Sequence, residues 1–146
     1  MRAAGSLRAM RLIATAAVLV AATAAIPTAT ASAGLRGFRS PSGNIVCAQE
    51  GARIRCDLLA TTNGRPKRPA SCDFDWGYAY ATQAGWHRGR RLCVSDTVND
   101  PSLPTLRYGR SWTAAGVTCR SRSAGVTCAN RGGHGFFLSK GRQRLF

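Results

Sequence analysis

Two cysteine pairs with one spacing constrain this chain more than any other feature. Cys47 and Cys56 are separated by eight residues, as are Cys119 and Cys128, and each cysteine has Ile or Val two positions before it: Ile45, Ile54, Val117 and Val126. Residues two apart lie on one face of a strand, so each pair reads as two strands with their cysteines turned inward. In the first pair Ile45, Cys47, Ile54, Cys56 and Leu58 share a face, and Val46, Ala48, Arg53, Arg55 and Asp57 take the other. Setting Cys47 opposite Cys56 puts Ala48 across from Arg55, Gln49 across from Ile54 and Glu50 across from Arg53. Gly51-Ala52 is left as a two-residue loop with glycine first, as a type II′ hairpin turn requires. Register, turn chemistry and disulfide reach therefore agree. In the second pair Val117, Cys119, Val126 and Cys128 face inward and Thr118, Arg120, Thr127 and Ala129 outward, around the less diagnostic loop Arg122 to Gly125.

An even count of cysteines in an exported chain argues for disulfides, and the first residues argue for export. Arg2, Arg8 and Arg11, the apolar run Leu12 to Ile26 and the small residues Ala31-Ser32-Ala33 have the three parts of a secretory signal. The run is shorter than the roughly 20 residues a membrane span needs. Cleavage after Ala33 is expected: residues 1–33 form the signal, and residues 34–146 form one secreted domain, free or loosely associated with the cell wall, with no transmembrane segment. Three arginines and no acid precede Gly34, so cleavage lowers the formal charge from +15 to +12. A surface this positive attracts polyanions in a salt-dependent way.

Between the two pairs the chain is punctuated by Gly, Pro, Asn and Ser and shows no helical periodicity with caps. Gly34 to Arg39 is expected to fray apart from Phe38, and Ser40 to Asn44 to turn. Thr61 to Ser71 reads as a loop with Arg65, Lys67 and Arg68 at its tip. Tyr78 to Ala81 alternates as a strand, and Leu92 to Val94 is a short one whose Cys93 pairs most simply with Cys72. Asn99-Asp100-Pro101 and Leu103-Pro104 mark a further loop, Gly132 to Gly135 a turn, and Phe136 to Leu138 a last buried strand. The expected fold is all-β: a small single-domain antiparallel β-sandwich or barrel-like fold with disulfides 47–56, 72–93 and 119–128. All four repeat cysteines face inward and six cysteines allow fifteen pairings, so crosslinks between the two hairpins stay open.

The segments Phe38-Arg39-Ser40-Pro41-Ser42-Gly43-Asn44-Ile45, Arg55-Cys56-Asp57, Asp75-Trp76-Gly77, Tyr108-Gly109, Gly125-Val126-Thr127-Cys128-Ala129-Asn130 and Gly133-His134-Gly135-Phe136 together resemble an uncharacterised family of small secreted or envelope-attached actinobacterial domains. The resemblance spans nearly all of residues 34–146. It implies export and one fold unit, and brings no activity with it. The family pattern has Gly-Asp-Thr after the fourth cysteine where this chain has Ser95-Asp96-Thr97, and Thr where Gly132 or Gly133 precedes His134.

No residue set reads as a catalytic or metal centre. The cysteines are expected to be oxidised, Ser40, Ser42 and Ser95 lack a nucleophile elbow, and Asp73-x-Asp75 is too short for a calcium loop. Asp57, Asp73, Asp75 and Asp96 are expected to pair with arginines. No Cys-x-x-Cys occurs and the two histidines lack metal-ligand spacing, so neither metal nor cofactor is expected. A secreted phosphodiester hydrolase would use His134 or His87 as general acid or base, with Glu50 or an Asp as partner and arginines holding phosphate. Nothing in the sequence brings His87 to His134, and a histidine between glycines reads as a turn residue bonded to backbone. Trp76 is expected inside, and Trp86, flanked by His87 and Arg88, exposed. A protease inhibitor presenting Asn63 to Pro69 fits the size and cysteine density. The reading that asks least is a monomeric, non-catalytic basic module for anionic cell-envelope polymers or acidic glycans, with nucleic acid open as a partner. Arg142 and Arg144 add to its charge, and its candidate residues are Arg65, Lys67, Arg68, Arg88, Arg90, Arg91, Arg120 and Arg122.

Overall fold

A computed structural model describes residues 34–146; the expected signal, residues 1–33, lies outside the described residues. The first sheet comprises β1 (Gly37–Arg39), β2 (Ile45–Glu50), β3 (Arg53–Leu58), β4 (Asp75–Gln83) and β5 (Arg90–Val94). The second comprises β6 (Ser111–Ala114), β7 (Val117–Arg122), β8 (Gly125–Asn130), β9 (Gly135–Leu138) and β10 (Gln143–Leu145). Each is an antiparallel meander whose strands lie in chain order. The described residues contain no helix, and so none long and apolar enough to cross a membrane.

Each cysteine hairpin supplies the second and third strands of its sheet. The register around Gly51-Ala52 is the expected one, Cys47 opposite Cys56 through Glu50 opposite Arg53, and Gly51 has the positive φ (58°) that a residue with a Cβ would resist. The second hairpin repeats it, Cys119 opposite Cys128. The disulfides are Cys47–Cys56, Cys72–Cys93 and Cys119–Cys128.

Equivalent rows of the two sheets meet in the core. In the first sheet Phe38, Cys47, Cys56 and Tyr80 are opposite one another across four strands; in the second the row is Trp112, Cys119, Cys128 and Phe136. Phe38 meets Trp112 edge-on at 5.4 Å, Cys56 Sγ lies 3.7 Å from Cys128 Sγ, and Tyr80 packs on Phe136 at 6.2 Å. Ile54, Leu58, Val117, Val126 and Leu138 fill the space around these rows.

The outer faces differ. On the first sheet Val46, Ala48, Arg55, Asp57, Ala79 and Ala81 are on the face alternation assigns to them, yet all are buried. A strap connecting β5 to β6 covers them, with Val98 and Leu103 buried beneath it. Arg39 N–H donates to Pro104 O and Leu106 N–H to Arg39 O, both at 2.9 Å, which fastens the strap to β1. Nothing equivalent covers the second sheet among the described residues, where Arg120 and Arg122 stand exposed.

Several sequence expectations need correction. Gly37–Arg39 is not frayed but an edge strand, β1, paired with β2. β4 extends well beyond Tyr78 to Ala81. β6 has too few apolar residues to stand out, and β9 is followed by another strand, β10, so Phe136 to Leu138 is not the last. Trp76 and Trp86 are both half-buried: Trp76 pairs with Cys93 near the start of β4, and Arg90 covers Trp86 with its guanidinium 4.3 Å from the ring centre.

Candidate anion-binding face and histidine cleft

The cations predicted as a binding set occupy three places. Arg65, Lys67 and Arg68 are exposed on the β3–β4 loop, where Arg65 lies over the Tyr78 ring at 5.3 Å. Arg88, Arg90 and Arg91 lie before and along β5, with Arg91 half-buried over Tyr80. Arg120 and Arg122 project from the outer face of β7. Both belong to a larger cationic surface that sequence reasoning did not assemble. Strand pairing aligns Ser111, Arg120, Thr127, Phe137 and Arg144 in one line across all five strands of the second sheet. At a strand spacing of about 4.8 Å, Arg120 and Arg144 stand about 14 Å apart on this line. Arg142 lies over the Phe137 ring at 5.3 Å.

No acid offsets this face from its own part of the chain. The six acidic residues are Glu50, Asp57, Asp73, Asp75, Asp96 and Asp100, whereas residues 101–146 carry eight arginines and lysines and no acid.

The acids do structural work in the first half. Buried Arg55 places all five of its N–H donors. Its Nε and Nη2 bind the two oxygens of Asp57 at 2.8 and 3.1 Å, Nη1 binds Asp96 Oδ1 at 2.8 Å and Glu50 Oε1 at 3.1 Å, and Nη2 also reaches Asp96 O at 2.6 Å. Burial alone would lower the Arg55 pKa, but the hydrogen bonds to Asp57 and Asp96 outweigh it and raise it. Asp57 also accepts from Thr97 Oγ1 at 2.9 Å and Val98 N–H at 3.0 Å. Asp57 and Asp96 thus pair with one arginine, as expected in kind; Asp73 and Asp75 form no ion pair among the described residues. Ser95, where the family pattern has glycine, is exposed.

The two histidines meet. Their ring centres are 5.8 Å apart, edge to face, a contact that nothing in the sequence indicated. Asn130 is the cause: its Nδ2 donates to Gln83 O at 2.9 Å and Trp86 O at 2.7 Å, and its Oδ1 accepts from Gly132 N–H at 3.0 Å and His134 N–H at 3.1 Å. One buried amide therefore ties the β4–β5 turn to the β8–β9 turn. Thr82 Oγ1 adds a bond to His134 O at 3.1 Å. Gly89 runs so close to the Gly135 carbonyl that a Cβ there would collide with it. His134 is a turn residue bonded through its backbone, as expected, while neither imidazole takes part in a hydrogen bond among the described residues.

Trp86, His87, Arg131 and His134 line a cleft of about 570 Å³ with the small β6–β7 turn residues Ala115 and Gly116. Gly116, Asn130 and Arg131 also border a neighbouring depression that reaches Arg120, so the cleft opens onto the outer face of the second sheet. The clustered sulfurs of Cys47, Cys56 and Cys128 are disulfide-bonded and offer no thiolate to a metal.

Compared with curated proteins and with solved structures, the chain finds no match. A family model matches residues 17–146, nearly the whole chain and all of both sheets. The chain belongs to a family of unknown function, DUF6636.

Proposed function

We propose that the protein is a non-catalytic binding module for phosphate-bearing or otherwise anionic envelope polymers, and that the outer face of the second sheet is its contact surface. On the reading of residues 1–33 as an export signal, it meets these polymers outside the membrane. The observation that carries the proposal is the unequal cover of the two sheets. A strap buries the outer face of the first, whereas the matching face of the second is open and lined with Arg120, Arg122, Arg142 and Arg144 in a region without an acid. Exposed guanidinium groups in a field of one sign draw an anionic chain from solution and pair with its oxygens. The histidine contact favours a hydrolase less than it first suggests. Rings at 5.8 Å in edge-to-face contact leave no room for a phosphorus atom between an acid and a base.

Sedimentation with purified anionic cell-wall material tests the proposal. Binding is expected at about 0.05 M salt and release by about 0.3 M, because surface charge attraction is screened over that range. Arg120→Ala with Arg144→Ala should weaken binding severalfold, while replacing Arg65, Lys67 and Arg68 by Ala should leave most of it. Protein that stays in the supernatant at low salt, or a binding loss that follows the loop cations instead, overturns the assignment.

A further inference from the structure

We infer that the His87–His134 cleft is a discrete site for a phosphate group, filled when the two imidazoles take up protons. The inference rests on the reading of the protein as an anion-binding module and names a site within it for a phosphorylated sugar or polymer end.

Three features of the cleft support this. First, the imidazoles are held as a pair by Asn130, Thr82 and the Gly89–Gly135 approach, all of which act through backbone, so the rings are placed without being used. Second, each protonated imidazole offers two N–H donors, and with both rings free of hydrogen bonds among the described residues a phosphate resting on the same side of the pair can accept from both. Third, the side-chain charge around them is positive, and the Phe146 carboxyl oxygen, which accepts from the Gly89 and Gly135 amides at 3.1 and 2.7 Å, lies outside the cleft lining. The β8–β9 turn contributes Arg131, the β4–β5 turn contributes Arg88, β5 contributes Arg90 over Trp86, and β10 contributes Arg144 over the Phe146 ring; the β6–β7 turn has no titratable group. No carboxylate lines the cleft.

Imidazole is the side chain that gains charge between about pH 5 and 8. Two imidazolium rings in contact beside Arg131, with no acid among the residues lining the cleft, carry charge that a bound anion offsets. Proton uptake and anion uptake are therefore coupled, and each favours the other. A cation would meet the opposite situation, since Arg131 repels it and no acidic ligand is present. The cleft volume of about 570 Å³ admits a sugar phosphate as well as free phosphate.

Titrating the full domain with inorganic phosphate, and separately with ribose 5-phosphate, while following the His87 and His134 ring resonances by NMR, tests the site. Saturable shifts of both rings are expected, with a Kd at least about tenfold lower at pH 5.5 than at pH 7.5. His87→Ala and His134→Gln should each remove most of that pH dependence; both leave the backbone bonds of the clamp in place, and the retained amide spectrum of each variant verifies the fold. Arg122→Ala with Arg142→Ala, on the sheet face but away from the cleft, should leave phosphate binding in the cleft intact while reducing polymer binding, which separates this inference from the reading it rests on. Rings that do not respond to either probe, or a Kd equal at both pH values, overturn it. So does saturable Zn²⁺ binding that needs both histidines when phosphate has no effect.

Discussion

Arg55 is the residue on which the cover of the first sheet depends. Its side chain is 1% exposed and that of Asp57 is fully buried, so removing Asp57 strips the guanidinium of two of its five acceptors and of its one fully buried counter-charge, leaving the more exposed Glu50 and Asp96. Breaking such a pair costs about 3–5 kcal/mol. Asp57→Ala is accordingly expected to lower unfolding stability by about that much in urea denaturation, and Asp96→Ala by far less, because the Asp96 side chain is 73% exposed. A destabilisation by Asp57→Ala no larger than that of Asp96→Ala would falsify the view that the buried pair anchors the strap. The network also sets a pH window. The hydrogen bond from Arg55 holds the Asp96 carboxyl below its ordinary value. Its contribution is present above the unfolded-state pKa and is lost as pH falls through the lowered folded value, so the strap loosens below about pH 4. Tyr78, whose hydroxyl donates to Asp96 O, has its phenol pushed up by burial, with Asp57 adding to the effect. That contribution is complete below the ordinary phenol range and is lost as pH rises through the raised value, above about pH 10. The protection of the Val98 amide, which donates to Asp57, against hydrogen exchange should be greatest between these limits once the intrinsic pH dependence of exchange is divided out.

At the scale of elements, the clamp between two turns matters most to the site, and Asn130→Ala tests it. The change removes two donated and two accepted hydrogen bonds and leaves Trp86 O and the Gly132 and His134 amides without those partners, while Gln83 O keeps Trp86 N–H. A loss of about 1–3 kcal/mol is expected, together with separate movement of the two histidines, visible as loss of nuclear Overhauser contacts between their rings. Retained ring contacts would show that the turns hold without the amide. This clamp was only faintly legible in the sequence. The hairpins could be read because alternation, a two-residue glycine turn and disulfide reach all fix one register. His87 and His134 lie 47 positions apart, and local pattern says nothing about such a distance. The available signal was the internal repeat: aligning the hairpins by their cysteines sets Asn130 where Leu58 stands in the first, an amide at an inward position. β1, β6 and β10 were hard to read for a different reason. Each is three or four residues long at or near an edge, with few apolar residues to show a period. The strap was hidden because Arg55 and Asp57 look like a solvent-facing pair until a distant segment is laid over them.

At the scale of the whole molecule, the two sheets share one core but not one level of cover. The second sheet buries apolar surface only through its inner face, against Phe38, Ile54, Cys56, Leu58 and Tyr80 of the first. The first has that core and also Val98 and Leu103 of the strap. The second sheet therefore cannot outlast the first, and opening it strips the first of its larger apolar partner. Folding is expected to be a single transition. Ile54→Ala in the first sheet and Leu138→Ala in the second should each lower the stability of that same transition by about 2–5 kcal/mol, since both side chains are fully buried in the common core. The tryptophans provide a direct check, because Trp76 and Trp86 report on the first sheet and Trp112 on the second. With 5-fluorotryptophan in all three positions, the folded ¹⁹F signals should decay at one urea concentration, as two-state unfolding requires. Loss of the Trp112 signal well before the other two would mean that the strap-covered sheet stands alone, and that the basic face is carried by a separately folding half.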